Sequence, residues 1–389
     1  MPSTPPTVGF VGTYPPTKCG IATFTASLRR GFVEERESNE GLGVVSLVDS
    51  PIGGHPPEVV HEHLNGDRSS LERSVAALDR HDVVLFQHEY GIYGGPDGIE
   101  ILDLVSGVTS PKIVTFHTVL NHPTPPQRLI TETLVDRTDE AIVMSGVGLG
   151  RLLDLYDVDH SKVRMIPHGA ATSLIGPRLR PGPRPMILTW GLIGPGKGLE
   201  AAIDSCVALK DLDPLPRYVI LGATHPKVRA AQGDVYLEGL IARVHAHGLD
   251  EIVEFDRRYL DSEALNAVVR QADVVLLPYE STEQATSGVL VEAVAAGKPV
   301  VATEFPHAVE LLAAGAGTVV PHSDPDAMAA ALRLILTDTR VAIRMGEMAR
   351  LVSPSLAWPA VALRYDEMAY ELVGAGSPLI DPPGSALRD

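Results

Sequence analysis

The sequence predicts an α/β protein built as two doubly wound parallel-sheet halves. Short apolar runs alternate with stretches of helical spacing along the whole chain, the signature of strand–helix–strand units. The pattern restarts after the proline- and glycine-rich segment 176–185, GPRLRPGPRP, which reads as a linker. Each half then opens with a strand followed by a glycine-bearing loop, where open α/β sheets bind ligands. A length of 389 residues leaves room for two or three domains.

In the first half, Val8 to Val11 is an apolar strand and Gly12 to Gly20 a loop. Ile21, Phe24, Leu28 and Phe32 then recur at helical spacing. Further strands are expected at Val44–Val48, Val83–Phe86, Ile113–Phe116, Ala141–Met144 and Val163–Ile166, with helices around Leu71–Leu78 and Leu149–Tyr156. Polar groups cluster just after these strands: Gln87, His88, Glu89 and Tyr90 after one, His117 after another, His168 after a third. Parallel strands bring all these ends to one edge of the sheet.

The second half begins with a strand at Met186–Trp190 and the loop Gly191 to Gly198. A helix at Leu199–Leu209, a strand at Tyr218–Leu221, a helix at Leu237–His247, a strand at Ile252–Phe255 and a helix at Ala264–Val269 follow. Residues 273–303 form the most informative unit. The apolar run Val274–Leu277 ends in a polar loop, Ser287-Gly288 opens a short helix, Gly297-Lys298-Pro299 stops it, and Val300–Ala302 starts a second run. The Ser287 helix end suits an anion, because its first N–H groups lack partners and its dipole is positive there. A last helix, Trp358–Val373, can cross back over the first half, and residues 376–389 read as a mobile tail. The domain boundaries expected are 1–180, 181–355 and, for the crossing helix, 356–375.

The composition, 44% hydrophobic and 21% charged, is that of a water-soluble fold. No apolar run reaches the ~20 residues that span a bilayer. Cys19 and Cys206 make no disulfide framework, which predicts a reducing, cytoplasmic setting. A net charge of −17 argues against a general nucleic-acid binder. The histidines show no metal-ligand spacing, and no metal or cofactor is expected.

With these motifs in place, the chain resembles a retaining glycosyltransferase of family 4, whose two Rossmann-like domains face each other across a cleft (the GT-B architecture). The similarity covers roughly residues 7–373. The family carries two glutamates eight positions apart. Glu292 matches the second, which the resemblance assigns to the nucleotide ribose. Gln284 stands at the first, with Glu283 one residue early, so the sugar-contacting role falls to one or the other. The turn Ser287-Gly288-Val289 matches the approach to donor sugar and diphosphate. Lys197, in Gly194-Pro195-Gly196-Lys197-Gly198, matches the diphosphate lysine, whereas Leu192 stands where the family has arginine; Arg257 or Arg258 are candidate replacements. Gly20 and Gly196 match glycines that let backbone approach the phosphates, and His117 matches a histidine at the sugar end. His168 stands where asparagine is usual. Glu310 and Trp358 match a loop glutamate and the aromatic opening the crossing helix. His88, Glu89 and Tyr90, with His168, are expected on the acceptor side.

The resemblance implies transfer of a hexose from a nucleoside-diphosphate sugar, of the GDP-mannose or UDP-glucose type, to an acceptor hydroxyl. Lys197, His117 and Gln284 would carry the catalytic roles. Two alternatives are a phosphorylase-like enzyme using a sugar phosphate, suggested by Leu192, and a non-catalytic sugar-nucleotide binder, suggested by Gln284.

Overall fold

The computed structural model describes residues 4–175 and 182–374. The core of the expected linker and the expected mobile tail lie outside the described residues.

Two parallel sheets carry the described chain. The first contains β1 (Val8–Gly12), β2 (Leu42–Val48), β3 (Val59–Leu64), β4 (Val83–His88), β5 (Lys112–Phe116), β6 (Glu140–Val143) and β7 (Val163–Met165). Their spatial order is β3-β2-β1-β4-β5-β6-β7. Helices α1 (Gly20–Arg36), α2 (Arg68–Leu78), α3 (Ile101–Gly107), α4 (Pro125–Arg137) and α5 (Gly146–Leu155) connect them. The second sheet contains β8 (Met186–Trp190), β9 (Arg217–Leu221), β10 (Val253–Asp256), β11 (Val274–Leu277), β12 (Val300–Thr303) and β13 (Gly317–Val320), in the order β10-β9-β8-β11-β12-β13. Its helices are α6 (Leu199–Ser205), α7 (Pro226–Gln232), α8 (Val235–Ala246), α9 (Ser262–Gln271), α10 (Gly288–Ala295), α11 (Pro306–Leu312), α12 (Pro325–Thr337) and α13 (Thr339–Val352). The crossing helix is α14 (Trp358–Leu372).

Both sheets reverse strand order beside their first strand. The switch points lie between β1 and β4 and between β8 and β11. Loops leaving those strands therefore diverge and open a crevice, the ligand position of this topology. Central strands such as Val8–Gly12, Met186–Trp190 and Val274–Leu277 are buried at every residue, as strands covered on both faces must be.

The sequence predicts no element at β3, β13, α3, α4, α7, α11, α12 or α13, and its expectation differs elsewhere in detail. β3 was not expected, because Val59-Val60-His61-Glu62-His63-Leu64 alternates polar residues at the edge of the sheet. The helix expected over 199–209 is α6 followed by a 3-10 turn at Cys206–Leu209. Glu310 lies inside α11 rather than in a loop.

The crossing helix packs on α1. Trp358, Val361, Ala362, Tyr365, Met368 and Ala369 share a core with Phe24, Leu28 and Phe32. Gly31 permits the approach, since a Cβ there would stand 2.6 Å from the Trp358 carbonyl oxygen. Arg36 Nε donates to Asp366 Oδ2 at 2.9 Å, so the apolar seam ends in a buried ion pair. Across the two halves, Glu310 caps α5, its carboxylate accepting from Gly146 N at 2.7 Å and Val147 N at 2.9 Å. An acidic group at a helix amino end is stabilising there.

Candidate functional site

Two loops meet at the switch point of the second sheet. The lysine loop leaves β8 and the 278–287 loop leaves β11. Glu280 N donates to the Gly196 carbonyl at 3.0 Å and joins them. Gly198 makes this closeness possible. Its φ is +65°, and a Cβ there would stand 1.7 Å from the Pro278 carbonyl oxygen, so no side chain fits. The Lys197 Nζ sits 4.5 Å above the Tyr279 ring. Burial lowers the lysine pKa, and among the described residues no carboxylate pairs with it. A point charge held this way is available to an anion. The adjoining shallow recess is lined by Thr189, Trp190, Leu192, Lys197, Leu199 and Tyr279 among others. Leu192 thus adds apolar surface where the resemblance placed a cation. Arg258 does not replace it, being paired with the neighbouring Asp256 at the strand end.

Helix α10 enters from the other side of the crevice. Ser287 is its N-cap, and its hydroxyl oxygen accepts from Leu290 N at 3.2 Å. Ser287 N donates in turn to His307 Nδ1 at 2.9 Å. His307 N donates to the Gln284 carbonyl at 3.3 Å. His307 is buried, which pulls its pKa down to about 4. A neutral ring braces the loop as acceptor at Nδ1. The next N–H groups, of Gly288 and Val289, have no acceptor among the described residues. Glu292 lies one turn further. Trp190 Nε1 donates to its Oε2 at 3.2 Å. Burial raises its pKa to about 7, an effect that the Trp190 hydrogen bond moderates.

The first half supplies the facing wall. The Cys19 sulfur caps α1, accepting from Ala22 N at 3.4 Å. Gly20 is the first residue of that helix, and a Cβ on it would meet nothing within 4 Å. The protein itself therefore has no need of a glycine at this exposed helix end. His117 Nε2–H donates to Gln87 Oε1 at 2.9 Å, leaving Nδ1 as an acceptor. His168 Nδ1–H donates to the Gly169 carbonyl at 2.7 Å, leaving Nε2 as an acceptor. That Nε2 lies 2.7 Å from where a Cβ on Gly288 would stand. His168 thus reaches from the first half to the start of α10. Phe24 packs edge-on against both rings, at 4.6 and 5.0 Å. Desolvation depresses both histidines, His117 to about 3 and His168 to about 4. Two neutral imidazoles accept hydrogen bonds near neutral pH; they are not proton donors of the imidazolium kind.

The remaining expected residues are placed differently. Glu283 is committed to the first half. Asn121 N donates to its Oε2 at 3.2 Å, and Arg151 Nη1 lies 3.6 Å from the same oxygen. Gln284 turns its amide onto its own loop, Nε2 donating to the Thr286 carbonyl at 3.2 Å. His88 is a correction: it is wholly buried beside Tyr90 and Phe116, with both ring nitrogens unpartnered, and presents no surface to an acceptor. Glu89 accepts from the Thr118 hydroxyl at 2.6 Å, and burial raises its pKa. The Tyr90 hydroxyl bonds the Thr131 hydroxyl at 2.8 Å. Sequence reasoning missed Trp190, Tyr279 and His307. Each is a lone aromatic or histidine, and the strand-end positions of Trp190 and Tyr279 were the available signal. Among the described residues no group of three or more His, Cys, Asp or Glu is arranged to hold a metal, and no helix is long and apolar enough to cross a membrane.

Comparison with known proteins meets this geometry from outside. Residues 174–352 match the family model described as glycosyl transferases group 1. That stretch holds Trp190, Lys197, Ser287 and Glu292 together. The chain is a glycosyltransferase. A D-inositol 3-phosphate glycosyltransferase of Corynebacterium glutamicum is 27% identical over 359 residues, covering 85% of this chain and 82% of that protein. A glycosyltransferase of Rickettsia africae superposes with TM-score 0.74 at 16% identity, covering 94% of this chain and 98% of the other. HepE of Anabaena, solved with UDP and glucose, superposes with TM-score 0.71 at 14% identity, covering 93% and 99%. The glycosyltransferase thus has the GT-B fold of two Rossmann-like units.

Proposed function

We propose that this glycosyltransferase is a retaining enzyme of family 4 that moves a hexose from a nucleoside-diphosphate sugar, of the UDP-glucose or GDP-mannose type, to an acceptor hydroxyl. The observation that carries this reading is the meeting of Lys197 with the amino end of α10 at the β8–β11 switch point, tied by the bond from Glu280 N to Gly196 O. Glu292 follows one turn inside that helix, where a carboxylate can accept from two adjacent ribose hydroxyls.

In this reading the bond between the anomeric carbon and the diphosphate oxygen breaks, and the acceptor oxygen bonds that carbon from the same face. The acceptor proton passes to the leaving phosphate oxygen. Negative charge grows on the diphosphate, and Lys197, the Gly288 and Val289 N–H groups and the start of α1 at Gly20 stabilise it. Donors fixed in advance do this without reorganising. His117 and His168, both neutral, orient hydroxyls of the transferred sugar. The acceptor enters from the side of Glu89 and Tyr90. Lysine and helix-end amides supply the positive field, so no metal is invoked. The free thiols of Cys19 and Cys206 suit a cytoplasmic enzyme. HepE, with its bound UDP and glucose, supports the donor class.

Titration with UDP, GDP and ADP tests the reading, followed by donor consumption against a panel of acceptors. One nucleotide is expected to bind saturably and its sugar derivative to be consumed. Failure of all three to bind overturns it.

A further inference from the structure

An open cavity of about 200 Å³ lies on the opposite edge of the second sheet from the lysine loop. It is bounded by Asp273, which precedes β11, and by Gly297, Lys298 and Pro299, which precede β12. The lysine loop and the 278–287 loop meet at the other ends of these strands. Each strand has four residues, so the two sites are about 13 Å or more apart.

The lining is strongly cationic. Arg270 in the last turn of α9, Arg350 in the last turn of α13, and Lys298 all contribute to it. Cations in the last turn of a helix ordinarily satisfy its end carbonyls. Here that work is done by other groups. Lys298 Nζ donates to the carbonyls of Arg270 and Ala272 at 2.6 and 2.7 Å. Ser353 N and its hydroxyl both reach the Ala349 carbonyl. Arg270 and Arg350 are half-buried, and neither guanidinium has a hydrogen-bond or ion-pair partner among the described residues. Among the described residues the one carboxylate in the lining is Asp273, which accepts from Met186 N at 2.9 Å. Leu174, Ala296, Pro299, Ala342 and Ile343 supply an apolar wall.

We propose that this cavity is a second anion site, which takes a phosphate monoester with a compact organic body. Two arginines lining one space suit a phosphate group, which a planar guanidinium matches. The apolar wall fits the remainder of the molecule. The position gives the site a regulatory use. Gly297, on its rim, closes the helix α10 whose first residue is Gly288 in the donor crevice. Occupancy is therefore felt at the donor site through one rigid two-turn helix. This coupling rests on the donor reading above; the anion site itself does not.

Phenyl phosphate and inorganic phosphate, titrated calorimetrically into the full chain, test the proposal. The same titrations are run on Arg270→Gln, Arg350→Gln, Arg350→Lys and Lys197→Ala, with melting temperatures recorded for each. Saturable binding of phenyl phosphate is expected, weakened about tenfold or more by either glutamine variant and partly kept by Arg350→Lys. Lys197→Ala is expected to leave it unchanged, and inorganic phosphate to bind more weakly. No binding at millimolar phenyl phosphate, binding indifferent to both arginines, or binding lost in Lys197→Ala each overturns the proposal. Phenyl phosphate binding without any nucleotide binding would uphold this site and refute the donor reading, so the two fail separately.

Discussion

Replacing Glu292 by glutamine separates the ribose carboxylate from every other contact in the crevice. Glutamine keeps the size of the side chain and an oxygen for the Trp190 N–H, but it does not ionise. Glu292 titrates at about 7 in the free protein. About nine-tenths of it is charged at pH 8 and about one-tenth at pH 6. Ribose hydroxyls bond the charged form more strongly. With the charged form binding about tenfold more tightly, nucleotide affinity is expected to fall about fivefold, or ~1 kcal/mol, from pH 8 to pH 6. Calorimetry with UDP or GDP across this range, on wild type and Glu292→Gln, measures it. The titration of the diphosphate is common to both proteins, so their difference isolates the carboxylate. The two curves should draw together towards pH 6 and separate by about tenfold at pH 8. The same pKa predicts the opposite effect on the unliganded fold. A carboxyl raised from 4.5 to about 7 gives full stability below its unfolded value and loses it as pH rises through 7. The loss is about 3 kcal/mol. Glu292→Gln should thus melt higher than wild type at pH 8 and level with it near pH 4.5. Parallel affinity curves at all pH values would refute the ribose assignment.

Other substitutions probe separate parts of the site. Lys197→Ala should lower kcat by ~10²–10³ while leaving the melting temperature nearly unchanged, as expected of one preorganised donor; steady-state kinetics with the identified donor measures it. Gly20→Ala should leave stability equal or slightly higher, because its Cβ would meet nothing within 4 Å. The same change should weaken donor binding, and unaltered donor KM would show that the phosphates do not approach there. Glu310→Ala removes both carboxylate hydrogen bonds to the start of α5 while the Ser145 cap stays, and should cost about 1–2 kcal/mol in chemical denaturation.

The fold was legible because most strands are unbroken apolar runs and the two glycine loops mark the starts of the halves. What escaped were elements whose pattern is set by their neighbours. β3 is an edge strand with polar alternation, and α4 begins with two prolines behind a Thr124–Gln127 capping box that spacing alone does not reveal. The site was legible where one motif carries it, as at Lys197 and Ser287–Glu292. It was not legible where partners come from distant segments. Glu283 reads as a sugar contact until Arg151 and Asn121 are placed beside it. His88 reads as an acceptor residue until the Phe116 and Tyr90 rings enclose it. His307 had no local signal, since its role depends on an amide twenty positions upstream.

The helix α14 has a consequence for biosynthesis. The apolar face of α1, with Phe24, Leu28 and Phe32, finds its cover in residues that are among the last described. During synthesis the first sheet emerges early, yet that face stays bare until the second sheet has been made and Trp358–Leu372 has followed it. The first half therefore cannot complete its core as an independent amino-terminal fragment, although domains commonly fold in order of synthesis. A nascent chain cut short before Trp358 would carry a finished second sheet beside an unfinished first one, and its exposed α1 seam would be a site for chaperone binding or self-association.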